Sequence, residues 1–250
     1  MDKLQKFNNK LLKFNNKLFK GEYSSPYPPI PTDLDFLYQA KDFDGTKIPN
    51  KALNSSFGDY IQAGTITLNG SGSSAYLSNG LSDSNYLYKD LTTTQLNTLK
   101  AINGTYTFFI RVMQTSNGLG AIISCRLLED NGYIYMIRGN GNELEIHTDS
   151  QHKCGSNFSL TTDRVYKVVI NGSTFKAVNL STNNEFSFTY STNRNMGTRL
   201  SSFCGYTYIP GTSTTHEANL DRFYALAGIP RATTKLEDQR IAECLMNQSA

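Results

Sequence analysis

The chain has 250 residues, with 24 basic and 21 acidic side chains and 38% hydrophobic residues, which suits a cored globular protein of one or two domains and excludes a disordered one. No run approaches the roughly 20 consecutive apolar residues that would span a bilayer. The 25 Thr, 23 Ser and 24 Asn, with 15 Tyr, 14 Phe and 19 Gly, are the palette of strands and turns and speak against a helical bundle or a doubly wound enzyme.

Residues 1–22 carry six lysines against Asp2 and Glu22, a local charge of +4, so the rest of the chain is at −1. The body therefore has no basic face for nucleic acid, and none is expected as a partner. Within the same 22 residues KFNNKL occurs twice, at 6–11 and 13–18. Leu4, Phe7, Leu11, Phe14 and Leu18 recur at steps of three and four, which on a helix is one apolar stripe. Asp2 and Gln5 fit a capping box, and Gly21 and Pro26 fit its end. The spacing predicts an amphipathic helix over 1–22. Its stripe would serve a homo-oligomer, an anchor on another protein, or packing on its own domain. Lys and Asn interrupt any continuous apolar core, so no secretory signal is expected and the protein is read as made in the cytoplasm.

Residues 23–33 hold Pro26, Pro28, Pro29 and Pro31 and predict a stiff spacer. From residue 34 to 250 short β-prone runs alternate with turn clusters. Strands are expected at 34–39, 61–68, 76–78, 105–114, 120–128, 133–138, 143–147, 164–170, 174–180, 185–190 and 218–226. The Asn-Gly pairs at 69–70, 103–104, 131–132, 140–141 and 171–172 suit tight turns. A helical turn is expected at 94–99, and Thr234-x-x-Glu237 followed by Ile241, Leu245 and Met246 predicts a short C-terminal helix. The fold class is all-β: a two-sheet antiparallel β-sandwich (jelly roll) flanked by the N-terminal and C-terminal helices.

The order of these segments resembles the concanavalin A-like, laminin-G-like jelly-roll family. The resemblance runs over 34–248 and is carried by LDFLYQAKDFDGTKIPNKA (34–52), SSAYLSNG (73–80), TYTFFIRVM (105–113), NGYIYMIRGNGNELEIHT (131–148), VYKVVINGSTFKAVNL (165–180) and ANLDRFYALAGIPRATTKLEDQRIAECLMN (218–247). Such modules with an added N-terminal helix are similar to fibre, tail and head-decoration components of bacteriophage virions. The resemblance implies a non-enzymatic virion structural or attachment protein. Its front segment would contact capsid or tail proteins, and its sandwich would read bacterial surface glycans. Two alternatives stand beside it: a stand-alone lectin module, and a glycoside hydrolase.

The hydrolase alternative rests on Glu143 and Glu145, which with His147 share one face of a strand as paired acids would. Leu144 and Ile146 explain the same spacing as a strand with one wet face. The chain has no Trp to line a sugar cleft. Asp42 and Asp44 could offer oxygens to Ca²⁺, but the loop lacks the remaining ligands, so no cofactor is expected. Cys125, Cys154, Cys204 and Cys244 form no CxxC pair and are read as free thiols. For glycans, the i, i+2 pairs Tyr86/Tyr88, Tyr133/Tyr135 and Tyr206/Tyr208 each show one face. The run 204–216 (CGYTYIPGTSTTH) is the expected recognition loop, with Tyr206, Tyr208 and His216 as ligand-binding residues.

Overall fold

The structure, a computed structural model, describes residues 12–14, 17–19, 29–82, 84–126, 136–147, 151–190, 196–203 and 220–249. In chain order its strands are β1 (Leu12–Phe14), β2 (Lys17–Phe19), β3 (Phe36–Gln39), β4 (Lys47–Ile48), β5 (Tyr60–Ala63), β6 (Thr67–Asn69), β7 (Tyr76–Ser78), β8 (Tyr86–Asp90), β9 (Thr105–Met113), β10 (Leu119–Arg126), β11 (Met136–Asn140), β12 (Glu143–His147), β13 (Gln151–Lys153), β14 (Arg164–Asn171), β15 (Thr174–Asn179), β16 (Asn184–Thr189), β17 (Met196–Ser202) and β18 (Arg222–Ile229). Helices α1 (Thr93–Lys100) and α2 (Lys235–Asn247) complete the set.

Two antiparallel sheets form the sandwich. Sheet one runs β16-β15-β14-β9-β18-β7-β6, with β3 also on β18; sheet two runs β13-β12-β11-β10-β17-β8-β5-β4. Between them lies the main core. Tyr106, Phe108, Ile110, Val112, Tyr166, Val168 and Ile170 enter it from sheet one, and Tyr60, Leu87, Ile123, Ile137, Leu144, Ile146 and Leu200 from sheet two. Alternation accounts for this: β15 reads intermediate, buried, intermediate, buried along its length. In contrast, β9 is buried at seven successive positions, because α2 covers its other face.

That covering is a second cluster. Ile241, Cys244 and Leu245 of α2 lie on Leu34, Leu37, Phe109, Val165, Ala225, Ala227 and Ile229. Each aliphatic side chain sealed this way contributes about 1.5–3 kcal/mol before ordering costs. Thr234 caps the helix in a full capping box with Glu237. Met246, expected on the apolar stripe, is 36% exposed. Arg231 joins this end to the start of the domain, pairing with Asp33 at 2.6 Å and Glu237 at 2.7 Å. Ile30 packs against the same cluster, so the described end of the Pro-rich segment is docked on the sandwich.

Two expectations are corrected. Within the expected N-terminal helix, β1 and β2 pair antiparallel, Phe14 opposite Lys17 and Leu18 opposite Lys13. Asn15-Asn16 separates them in sequence, and asparagine is a weak helix former. Leu4, Phe7 and Leu11 lie outside the described residues. The single strand expected over 61–68 is two, β5 in sheet two and β6 in sheet one. Gly64, at φ +68, makes the break, where a Cβ would run into Asn85 and Ser84. No helix among the described residues is long and apolar enough to cross a membrane.

Candidate functional site

Sheet two has the core on its inner face. Along β8, Leu87 points into that core; the flanking Tyr86 and Tyr88 alternate to the other side of the strand and are half-buried, Tyr86 also packing against the core. Their rings stand 5.8 Å apart at 52°. The neighbouring strands complete the surface through register: on β17, Arg199 faces Asp90 and Ser201 faces Tyr88, and on β5, Ile61 faces Tyr88 and Ala63 faces Tyr86.

Arg199 ties the patch together. Its guanidinium carbon lies 4.2 Å over the Tyr88 ring. Its Nε donates to Asp90 Oδ1 at 2.7 Å. That hydrogen bond raises the Arg199 pKa above its ordinary value, so the cation is fixed at any working pH. The pair is at the surface, with side chains 36% and 63% exposed, and its value to stability is small. Its chemical value is different. It offers N–H donors and a carboxylate acceptor side by side, next to two half-buried aromatic rings. Vicinal sugar hydroxyls need that donor–acceptor combination, and the apolar face of a pyranose needs the ring.

The expected acids of the hydrolase reading are held differently. Glu143 and Glu145 do share a face of β12. Glu145 is wholly buried, and its Oε1 accepts from Arg138 Nε at 2.6 Å while Oε2 accepts from Asn140 Nδ2 at 2.6 Å. Arg138 is 2% exposed. A carboxylate committed to two donors inside the protein is a structural counter-ion. Cys154 is likewise buried, and burial first, then the Glu145 and Glu143 carboxylates, pushes its thiol up, so it stays protonated. The His152 ring lies parallel to Phe188 with centroids 3.7 Å apart.

Asp44 Oδ1 accepts from Thr46 N at 2.8 Å, Thr46 Oγ1 at 2.7 Å and Lys47 N at 2.9 Å, which shapes a local turn and holds its carboxyl below the usual range. Asp42 faces Lys51 at 3.9 Å. Among the described residues no three His, Cys, Asp or Glu side chains converge on a metal position. A groove of about 1010 Å³ runs between α2 and β14–β16. Its Lys167 and Lys176 are closed by Asp238 and Glu185, each at 2.7 Å, so they do not converge on a ligand.

Tyr206, Tyr208 and His216, and the Tyr133/Tyr135 pair, lie outside the described residues. The Tyr86/Tyr88 pair is placed as its spacing predicts. No local signal in the sequence marks Arg199 and Asp90, because strand pairing brings them together across 109 positions.

No protein-family model matches the chain, and no curated protein matches it. Solved structures do. The chain is similar to the botulinum neurotoxin serotype C1 binding domain, with TM-score 0.58 at 10% identity over 85% of this chain and 52% of that one. It is similar to the binding domain of botulinum neurotoxin DC in complex with SialylT, with TM-score 0.57 at 10% identity over 85% and 52%. It is also similar to a Trypanosoma rangeli sialidase, with TM-score 0.57 at 8% identity over 87% and 33%. The chain thus spans about half the length of the neurotoxin binding domains. At such identities the likeness establishes a shared β-sandwich fold.

Proposed function

We propose that this protein is a non-enzymatic glycan-recognition module, and that Tyr86, Tyr88, Asp90 and Arg199 are its binding surface. The observation that carries the reading is the Arg199–Asp90 pair laid over Tyr88 on the outer face of sheet two. Two of the similar folds support it by the company they keep: one is a binding domain in complex with SialylT, another is from botulinum neurotoxin type C, whose cell entry is dependent upon interaction with two ganglioside molecules. The buried, doubly bonded Glu145 favours binding over hydrolysis.

The module belongs to an attachment protein. A virion fibre or decoration component is the setting implied by the jelly-roll resemblance of residues 34–248. In that setting the lysine-rich, apolar residues 1–22 make the homo-oligomer, capsid or tail contacts; their support is the seven-residue sequence repeat. The test is a glycan microarray probed with the full chain, Tyr88→Ala and Arg199→Ala. Binding to a defined set of glycans, weakened at least tenfold by either substitution with unchanged melting temperature, is expected. Binding that both variants retain, or turnover of a bound glycan, would overturn the reading.

A further inference from the structure

The outer face of sheet one is only partly covered by α2. At the C-terminal end of that helix, β6, β7, β18 and β9 carry an aromatic and guanidinium patch of their own. A bulge makes it. The β18–β9 register slips between Phe223 and Ala225, so Phe223 and Leu226 both reach the main core while Tyr224 and Ala225 are left on the outer side.

Tyr224 is then held on every side. Arg111 lies 4.4 Å over its ring, and the Tyr76 ring stands 5.7 Å away. The Tyr224 hydroxyl donates to Met113 Sδ at 3.5 Å and accepts from Arg222 Nη1 at 3.4 Å. Arg222 itself lies 4.8 Å over the Tyr76 ring.

The two arginines differ in one respect. Arg111 is 3% exposed and fully engaged: Asp163 takes its Nε and Nη2 at 2.8 and 2.6 Å, and the Ser73, Leu245 and Met246 carbonyls take Nη1 at 2.9–3.0 Å. Arg222 is half-buried and, among the described residues, pairs with no carboxylate. Its neighbour Asp221 is spent on Thr115 Oγ1 and Ser116 N, both at 3.0 Å. Tyr76 keeps the Arg222 guanidinium flat and Tyr224 fixes one of its nitrogens, so its N–H edge is presented in a set orientation. Beside it, Asn69 Nδ2 donates to Ser78 Oγ at 3.0 Å, which adds an uncharged amide and hydroxyl to the rim.

We propose that this patch is a binding site for a carboxylate-bearing sugar, separate from the Tyr86–Tyr88 surface on the opposite sheet. A single planar guanidinium matches a planar, singly charged carboxylate through two parallel hydrogen bonds; a phosphate, with more charge, calls for more than one cation. The amide and hydroxyl rim suits ring hydroxyls, and the half-buried Tyr76 ring, seated on the buried Tyr224, suits a pyranose body.

The test is NMR titration of the isotope-labelled full chain with glucuronic acid, its uncharged methyl ester, and glucose 6-sulfate. Glucuronic acid is expected to shift the amides around Tyr76, Arg222 and Tyr224, with the ester and the sulfate at least tenfold weaker. Arg222→Gln should reduce acid binding to the level of the ester at unchanged melting temperature. Arg222→Lys, which keeps charge without the fork, should fall between. Tyr88→Ala should leave acid binding intact, so failure here is distinct from failure of the sheet-two surface. Equal affinity for acid and ester, preference for the sulfate, or undiminished acid binding by Arg222→Gln would overturn the proposal.

Discussion

Replacing Glu145 by Gln separates a structural acid from a catalytic one. Glu145 is 0% exposed and Arg138 2%, and Arg138 Nε and Nη2 both lie 2.6 Å from Glu145 Oε1. Gln keeps the shape but removes the negative charge and turns one acceptor into a donor facing the donors of Arg138 or Asn140. Breaking one side of a buried ion pair costs about 3–5 kcal/mol. For a chain of this size each kcal/mol moves Tm by about 2–4 °C, so the loss should be about 6–20 °C. Thermal unfolding followed by near-ultraviolet circular dichroism reads it. The double change Arg138→Met with Glu145→Leu should recover most of the loss, because neither charge is then buried. A Glu145→Gln protein melting within about 2 °C of wild type would refute the reasoning. So would one that keeps its stability but loses turnover of a glycan.

Three further outcomes follow from the fold. Arg111→Met removes the donor to the Leu245 and Met246 carbonyls and should loosen the end of α2 at a cost of about 2–4 kcal/mol, seen as faster hydrogen exchange of the last helical turn. The Arg231 hydrogen bond, with the Thr234 cap, holds Glu237 at about 2, below its usual 4.5. A lowered folded-state value means that its stabilisation is present in full above pH 4.5 and lost as pH falls toward 2; an acid melt should show this slope in wild type and a flatter one in Glu237→Gln. Gly228→Ala would place a methyl 2.6 Å from the Tyr106 hydroxyl and 2.7 Å from a Phe36 ring carbon. Both rings are packed in the core, so denaturant unfolding should show a loss of about 1–3 kcal/mol.

The sequence was readable where local chemistry and tertiary pairing agree. The β14–β15 hairpin was expected at 164–170 and 174–180 and is found at Arg164–Asn171 and Thr174–Asn179, because Gly172, at φ +52, sits in the turn between two alternating runs. The same agreement placed β7, β12 and α2, the last through Thr234 and Glu237. Strands β4, β8, β13 and β17 escaped. They are short, or, as in MGTRLSS, rich in Gly and Ser, and they exist because neighbours in sheet two supply their hydrogen bonds. The reversed case is residues 12–19, where a helical stripe was written in the leucines and phenylalanines and the pairing of β1 with β2 prevailed. For the site, the spacing of Tyr86 and Tyr88 announced a shared face. Arg199 carried no mark in its own segment; its position depends on sheet register. Arg111 sits in the apolar run TYTFFIRVM, and its burial depends on a helix more than 120 residues later.

The most direct measurement is amide chemical-shift mapping of the isotope-labelled full chain with a glycan selected from the microarray. Perturbations concentrated on Tyr86–Asp90 and on Arg199–Ser202, abolished by Tyr88→Ala, are the result expected. Perturbations confined to other strands, or none at saturating glycan, would contradict the assignment of sheet two as the recognition surface.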